Sequence, residues 1–261
     1  MTAPRTAFIL IIGDEILSGE VVDENAAYLA RKLTGLGIRV VGMRVVPDTN
    51  EAIATSVQQA AAEAEAVFVS GGIGPTHDDL TREAVAQAFG LPCERHSEAE
   101  ARLRRGYGDG ITLAELAMAD LPGGARLLVG LHSGAFGFGV DRVHVLPGVP
   151  VLMREIFDQV VESWEPAAYF REELVTHLRE GNLADGLRQI QAELPAVAIG
   201  SYPVKTPEGH RVKIVFRARD RAALDQARAR VSALVDGGVG LAGVPAARPG
   251  PGGAPGERRP A

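Results

Sequence analysis

Positions 70–81 read Ser70-Gly71-Gly72-Ile73-Gly74-Pro75-Thr76-His77-Asp78-Asp79-Leu80-Thr81. Gly71, Gly72 and Gly74 free the backbone to turn sharply and bring its N–H groups close to a ligand. A helix opening at Thr81 adds an N-terminus that favours an anion such as phosphate. Pro75 stiffens the loop, Thr76 offers a hydroxyl, and His77 offers a phosphate contact or a metal ligand. A capped turn alone leaves one of Asp78 and Asp79 unexplained, because an N-cap takes a single side chain. Two other loops carry acids: Gly13-Asp14-Glu15-Ile16-Leu17-Ser18-Gly19-Glu20, followed by Asp23-Glu24-Asn25, and Val46-Pro47-Asp48-Thr49-Asn50. Gly13, Ser18 and Gly19 suit a second anion-facing turn. Asp23 or Asn25, and any of Asp48, Thr49 and Asn50, also make good helix caps. Carboxylates beside a phosphate cradle are the arrangement that holds a divalent ion between protein and diphosphate. Neither glycine loop contains GK[ST] or the G-x-G-x-x-G spacing, so neither the P-loop nor the dinucleotide fingerprint is present.

The elements that must position these loops follow from hydrophobic periodicity. Phe8–Ile12 and Ala66–Ser70 are apolar runs of the kind buried on both faces of a parallel sheet. Ile38–Val46 is rich in β-branched residues, and Arg126–Val129 and Arg142–Leu146 also read as strands. Asn25–Leu36, Glu51–Ala64, Thr81–Phe89 and Pro150–Val161 carry the helical period. Strand–helix alternation implies a parallel sheet with helices on both faces, whose ligands lie beyond the carboxyl ends of the strands. That places the loops after Ile12, Val46 and Ser70 together. Glu94–Gly124 is the least readable stretch and suggests a helical lid or insertion. Past Pro166, Glu173–Leu178, Leu183–Leu194, Ala196–Tyr202, Val212–Arg217 and Ala222–Val235 suggest strand, helix, strand, strand, helix. The expected architecture is α/β, a three-layer α/β/α domain with a mostly parallel sheet over residues 1–165, then a small α+β domain over 168–240. Residues 245–261 hold 5 Pro and 4 Gly in 17 positions and are expected to be disordered.

With 261 residues, 46% of them hydrophobic, the chain is long enough for an adequate core without a metal or disulfide staple. Its 27 Lys and Arg against 33 Asp and Glu argue against a general nucleic-acid binder. The single cysteine, Cys93, rules out an internal disulfide and a Cys-rich zinc site, and a lone thiol suits the cytoplasm. Nothing approaches the length of a membrane span, and the first residues lack the long apolar region of a secretion signal. Cys93, with no base near it in sequence, reads as an incidental thiol.

Gly13–Asn25 (GDEILSGEVVDEN), Val46–Asp48 (VPD), Gly71–Thr81 (GGIGPTHDDLT) and Leu146–Pro150 (LPGVP) together resemble the molybdopterin-binding, Moa/Mog-type domain. The likeness is closest to the short form of the competence/damage-inducible A family, whose domain also resembles the N-terminal part of FAD synthase. Glu180–Ala184 (EGNLA) and Ile199–Pro203 (IGSYP) are similar to the small domain that follows it. The resemblance implies a three-layer domain binding a pterin or nucleotide phosphate across these loops. Relatives act as molybdopterin adenylyltransferases or as metal-dependent pyrophosphatases on ADP-ribose-like dinucleotides, and their functional acids correspond to Asp48 and Asp79, with Asp78 beside. Longer members carry an amidase domain, and that activity is not expected of this chain. Where the family often has Asn-Pro-x-x-x-Ala-Pro-Gly-Phe, this chain reads Val129–Phe138 without the asparagine or either proline, and Leu113–Met118 replaces an expected polar segment.

The leading expectation is a metal-dependent nucleotide pyrophosphatase acting on a diphosphate such as ADP-ribose or FAD. Asp48 and Asp79 share a divalent ion, magnesium first, and Asp78 assists. Gly71, Gly72, Gly74, Pro75 and Thr76, with Gly13, Glu15, Ser18, Gly19 and Asn25, contact the substrate. The alternatives are adenylyl transfer to molybdopterin and a non-catalytic pterin- or nucleotide-binding module. The expected partners are that small-molecule ligand and further copies of the chain as a homo-oligomer, with no nucleic acid and no membrane.

Overall fold

A computed structural model describes residues 3–165, 168–207 and 209–237. The chain divides into two compact units, Met1–Phe170 and Arg171–Ala261. The tail expected to be disordered, 245–261, lies outside the described residues.

The first unit opens with β1 (Thr6–Ile12), a single turn α1 (Asp14–Leu17), α2 (Asn25–Gly35), β2 (Arg39–Val46), α3 (Asn50–Glu63), β3 (Ala66–Ser70) and α4 (Thr81–Phe89). An excursion follows: β4 (Cys93–Arg95), α5 (Ser97–Tyr107), a short 3-10 turn at Gly108–Gly110, α6 (Leu113–Ala117) and β5 (Asp120–Pro122). The unit closes with β6 (Arg126–Val129), β7 (Phe136–Val140), β8 (Val143–Leu146) and α7 (Pro150–Glu162).

Six strands form one sheet in the order β2-β1-β3-β8-β7-β6. The pairs among β2, β1, β3 and β8 are parallel, and β7 and β6 run antiparallel at one side. Along β1, Phe8, Leu10 and Ile12 enter the apolar cluster that also holds Ile53 and Val57 of α3 and Val85 of α4. Ala7, Ile9 and Ile11 enter a second cluster with Leu29 and Leu33 of α2 and Ile156 and Phe157 of α7. That is the three-layer arrangement, and it explains why β1 carries no polar alternation.

β7 is the strand of this six-stranded sheet that periodicity missed. Its sequence, Phe-Gly-Phe-Gly-Val, has glycine at every second place, which lowers strand propensity. The fold needs those gaps: a Cβ on Gly137 would lie 2.1 Å from the Val145 carbonyl oxygen, and one on Gly139 would lie 2.9 Å from the Arg126 guanidinium.

In the excursion, β4 and β5 pair antiparallel, and Ala99 and Leu103 of α5 are buried in the α3/α4 cluster. Thr112 and Glu115 form a capping box at the start of α6. The stretch is therefore an anchored insertion.

The second unit runs β9 (Phe170–Thr176), α8 (Glu180–Glu193), β10 (Val197–Thr206), β11 (Gly209–Ala218) and α9 (Arg221–Asp236), the expected order. Its three strands lie in the order β10-β11-β9, with β10 and β11 antiparallel. Val212, Ile214, Phe216 and Ala218 of β11 are buried, as are Leu183 and Ile190 of α8 and Leu224 and Val231 of α9. Among the described residues no helix is long and apolar enough to cross a membrane.

Candidate functional site

The parallel register aligns Ile12 with Val46, Ile11 with Ser70, and Ser70 with Leu146, so four strands release their loops at one edge. Backbone bonds extend the ladder by one step, from Gly13 N–H to the Val46 carbonyl and from Gly71 N–H to the Leu146 carbonyl, both 3.2 Å. Asn25, buried at the start of α2, ties the loops together. Its amide donates to Ser70 Oγ at 3.0 Å and to the Gly148 carbonyl at 2.7 Å, and Ser70 in turn donates to the Pro147 carbonyl. Capping of α2 falls to Asp23, whose carboxylate accepts from the N–H groups of Asn25 and Ala26.

The glycine loop is held from below. Thr81 is the first residue of α4 and does not cap it: its hydroxyl donates to the Gly71 carbonyl at 2.9 Å. Gly71 adopts φ +112°, and a Cβ there would lie 2.3 Å from the Ile12 carbonyl oxygen; Gly72, at φ +67°, would drive a Cβ into Thr81 Oγ1. Only glycine satisfies either place.

Asp79 does not cap α4 either. Its Oδ1 accepts from Gly74 N–H at 2.7 Å, and its Oδ2 accepts from Thr76 N–H at 2.9 Å and from the Thr76 hydroxyl at 2.5 Å. Among the backbone donors expected to meet phosphate, those of Gly71, Gly74 and Thr76 are thus engaged within the protein. Among the described residues, the N–H groups of Gly72 and its neighbour Ile73 have no acceptor.

At the end of β2, Thr49 caps α3, accepting from Ala52 N–H, which releases Asp48 from that duty. Asp48 instead accepts from Asp14 N–H at 2.8 Å. Burial raises its pKa, the Asp14 N–H bond pulls the other way, and the charges of Glu15, Asp14 and Asp78 raise it further. An isolated cap does not show such crowding of like charge.

These groups border one cavity of about 740 Å³. Gly13, Glu15, Asp48, Gly71, Gly72, Gly74, Thr76, Asp78 and Asp79 line it; Ser18, Gly19, Asn25 and Pro75 do not. His77 stands in solvent, with Nδ1 3.9 Å from Asp78. Among the described residues no group of three or more His, Cys, Asp or Glu side chains is gathered closely enough to cage a metal. The donor set nevertheless suits magnesium, which takes oxygen from one or two carboxylates and completes its octahedron with water and phosphate.

Sequence reasoning passed over Arg82. It is 5% exposed, donates from Nη1 to the Gly74 carbonyl at 2.8 Å and from Nη2 to the Asp79 carbonyl at 3.4 Å, and leaves Nε without an acceptor. An arginine in the first turn of a helix reads as solvated, and no sequence signal marks it as buried. Also missed were Arg102, Arg105 and Tyr107, which α5 brings to the cavity. The divergent Val129–Phe138 stretch still builds a wall: Ser133, Gly134, Ala135 and Phe136 line the cavity, and Glu155 fixes their loop by accepting from the N–H groups of His132 and Ser133. Burial and the Glu83 charge raise the Cys93 pKa, the opposite of an activated thiol.

Residues 8–167 match the family described as "Probable molybdopterin binding domain", and residues 168–241 match "FAD synthase, middle domain". A protein of Archaeoglobus fulgidus is 35% identical over 221 residues, 84% of this chain and 94% of the relative. A CinA-like protein of Frankia casuarinae is 36% identical over 236 residues, 83% of this chain and 54% of the relative, so this chain spans about half the length of that protein. Among solved structures, CinA of Thermoplasma acidophilum, titled a protein with unknown function, superposes with a TM-score of 0.57 at 32% identity, over 60% of this chain and 96% of that one. The chain belongs to the molybdopterin-binding domain family, as a CinA-like member in which that domain precedes one of the FAD synthase middle-domain type.

Proposed function

We propose that the cavity binds the diphosphate of a nucleotide or pterin ligand together with a divalent ion and hydrolyses the diphosphate bond, on a substrate such as ADP-ribose or FAD. The observation that carries this reading is the position of Asp48. It lies within reach of the charges of Glu15, Asp14 and Asp78 and lines the same cavity as Gly72 and Ile73, whose N–H groups have no acceptor among the described residues. A ligand phosphate alone would be repelled by those acids, and a cation alone would leave the N–H groups unmet. A phosphate with its cation satisfies both.

Asp48 would hold the ion, with Asp78 assisting. Asp79 would add the lone pair left on Oδ1 after its bonds to the loop. Gly72 and Ile73 would take phosphate oxygens, and the Asp79–Thr76–Gly74 brace would keep the loop open. When bound, such an ion neutralises charge on the diphosphate and makes water more acidic.

A second reading, adenylyl transfer to molybdopterin, takes from the family description only that a molybdopterin is bound, and it would use the same cradle. The test is turnover with product identification, on ADP-ribose and FAD, and on a pterin with ATP, each with and without Mg²⁺, Mn²⁺ or Co²⁺. Metal-stimulated release of two monophosphates supports hydrolysis. Pyrophosphate released with an adenylylated pterin supports transfer. Turnover of none of them replaces both readings with the binding module.

A further inference from the structure

A diphosphate and its ion fill only part of a cavity of about 740 Å³, a volume in the range of whole small-molecule sites. The wall contributed by α5 and the residues after it differs in chemistry from the acidic, glycine-rich wall. Arginines of the excursion mostly carry a carboxylate: Arg95 pairs with Asp120 at 2.6 Å, Arg102 with Glu98 at 3.0 Å and Arg104 with Glu100 at 2.6 Å. Arg105 has no such partner among the described residues, and it lines the cavity. Two residues on, Tyr107 lines it too, 48% exposed. The floor beside them is apolar, built from Leu103, Met118 and Leu121. Leu103 and Leu121 are buried in the core, so this end of α5 is fixed.

From this we infer that Arg105 and Tyr107 form a recognition wall for a planar heteroaromatic ring, the base, flavin or pterin attached to the phosphate. The inference rests on the phosphate reading above. A flat ring stacks on the phenol, lies against the guanidinium plane and covers the apolar floor. A second phosphate would use Arg105 alone and gain nothing from Tyr107, Leu103 or Met118. The cavity thereby favours ring-bearing phosphates over bare ones, a specificity that the glycine loop cannot supply, because its N–H groups meet only phosphate oxygens.

Calorimetric titration of the full chain in magnesium buffer with ADP, FMN and inorganic pyrophosphate tests it, with the injected ADP and pyrophosphate recovered and checked for an intact phosphoanhydride bond. In the wild type, the tighter of ADP and FMN should bind at least ten-fold more tightly than pyrophosphate. Tyr107→Leu and Arg105→Gln should each reduce that advantage below three-fold and leave pyrophosphate affinity within two-fold. Arg104→Gln, on the same helix but paired with Glu100, should change none of the three. Both side chains are exposed, and a thermal melt confirms that the variants fold. Pyrophosphate binding with no advantage for a ring, or an advantage that survives both substitutions, overturns the inference and leaves the phosphate reading standing. Failure of all three ligands to bind the wild type overturns the phosphate reading, and the inference with it.

Discussion

Replacing Asp48 by asparagine keeps an oxygen for the Asp14 N–H and removes only the charge. Asp48→Asn should therefore fold as the wild type does and lose metal-stimulated hydrolysis by at least a hundred-fold, about 2.7 kcal/mol of barrier. A melt and a steady-state rate check both halves, and a near-wild-type rate would remove Asp48 from the ion. Asp79→Asn has a different expected outcome. One of its carboxylate oxygens becomes an NH₂ facing the donors of Gly74 or Thr76, so the loop should lose stability by about 1–3 kcal/mol along with activity. A loss of stability with an unchanged rate per folded site would make Asp79 a brace alone. The contrast shows how far single residues were legible. That acids cluster here could be read from three short loops. That Thr49 relieves Asp48 of capping, that Asp79 accepts from its own loop, and that Arg82 is buried could not, because each depends on where a side chain turns.

At the scale of elements, runs that are buried on both faces were the most legible: β1 and β3 lie where continuous apolar sequence put them, and amphipathic α2, α3 and α7 follow their periods. Elements defined by close approach were not, β7 above all, because glycine is there to make room and carries no pattern. β8 offers a test of the layer beneath the sheet. His144 stacks on Phe68 with centroids 5.1 Å apart and meets Trp164 edge-on at 6.1 Å. Burial, chiefly, lowers its pKa to about 4. The folded value lies below the unfolded value of about 6.5, so the unfolded chain binds the extra proton between them. Its contribution is therefore complete above about pH 6.5 and declines as pH falls towards 4, at up to about 1.4 kcal/mol per pH unit. Urea unfolding between pH 6.5 and 4.5 should show that slope, and His144→Phe should flatten it by about one proton; equal slopes would place the imidazole in contact with water. The glycine loop tests differently. Gly71→Ala sets a Cβ 2.3 Å from the Ile12 carbonyl in a backbone region reserved for glycine, and should lower the melting temperature measurably. Gly134→Ala, at φ +72° with nothing within 4 Å, should cost clearly less.

For the molecule as a whole, the question is how much of it the chemistry needs. Both apolar clusters of the first unit are built from residues between Ala3 and Trp164. The cavity is lined by residues between Ile12 and Leu152. The second unit has its own core between α8, α9 and β11, and Leu183, Leu224 and Phe216 are fully buried there. Two cores of this kind are two folding units, and a boundary between them is a place where a chain can be cut. A fragment ending at residue 168, before β9, should fold by itself and melt in one cooperative transition. It should retain kcat/KM within about three-fold of the full chain, because no residue assigned to the phosphate, the ion or the ring lies beyond Leu152; three-fold corresponds to about 0.6 kcal/mol, the scale of a small rearrangement and far below the loss of a ligand to the reacting group. Circular dichroism and the same turnover assay decide it. A fragment that folds yet loses more than ten-fold in rate would assign the second unit a direct part in the reaction, and alanine substitution along α8 and β10 would then locate it.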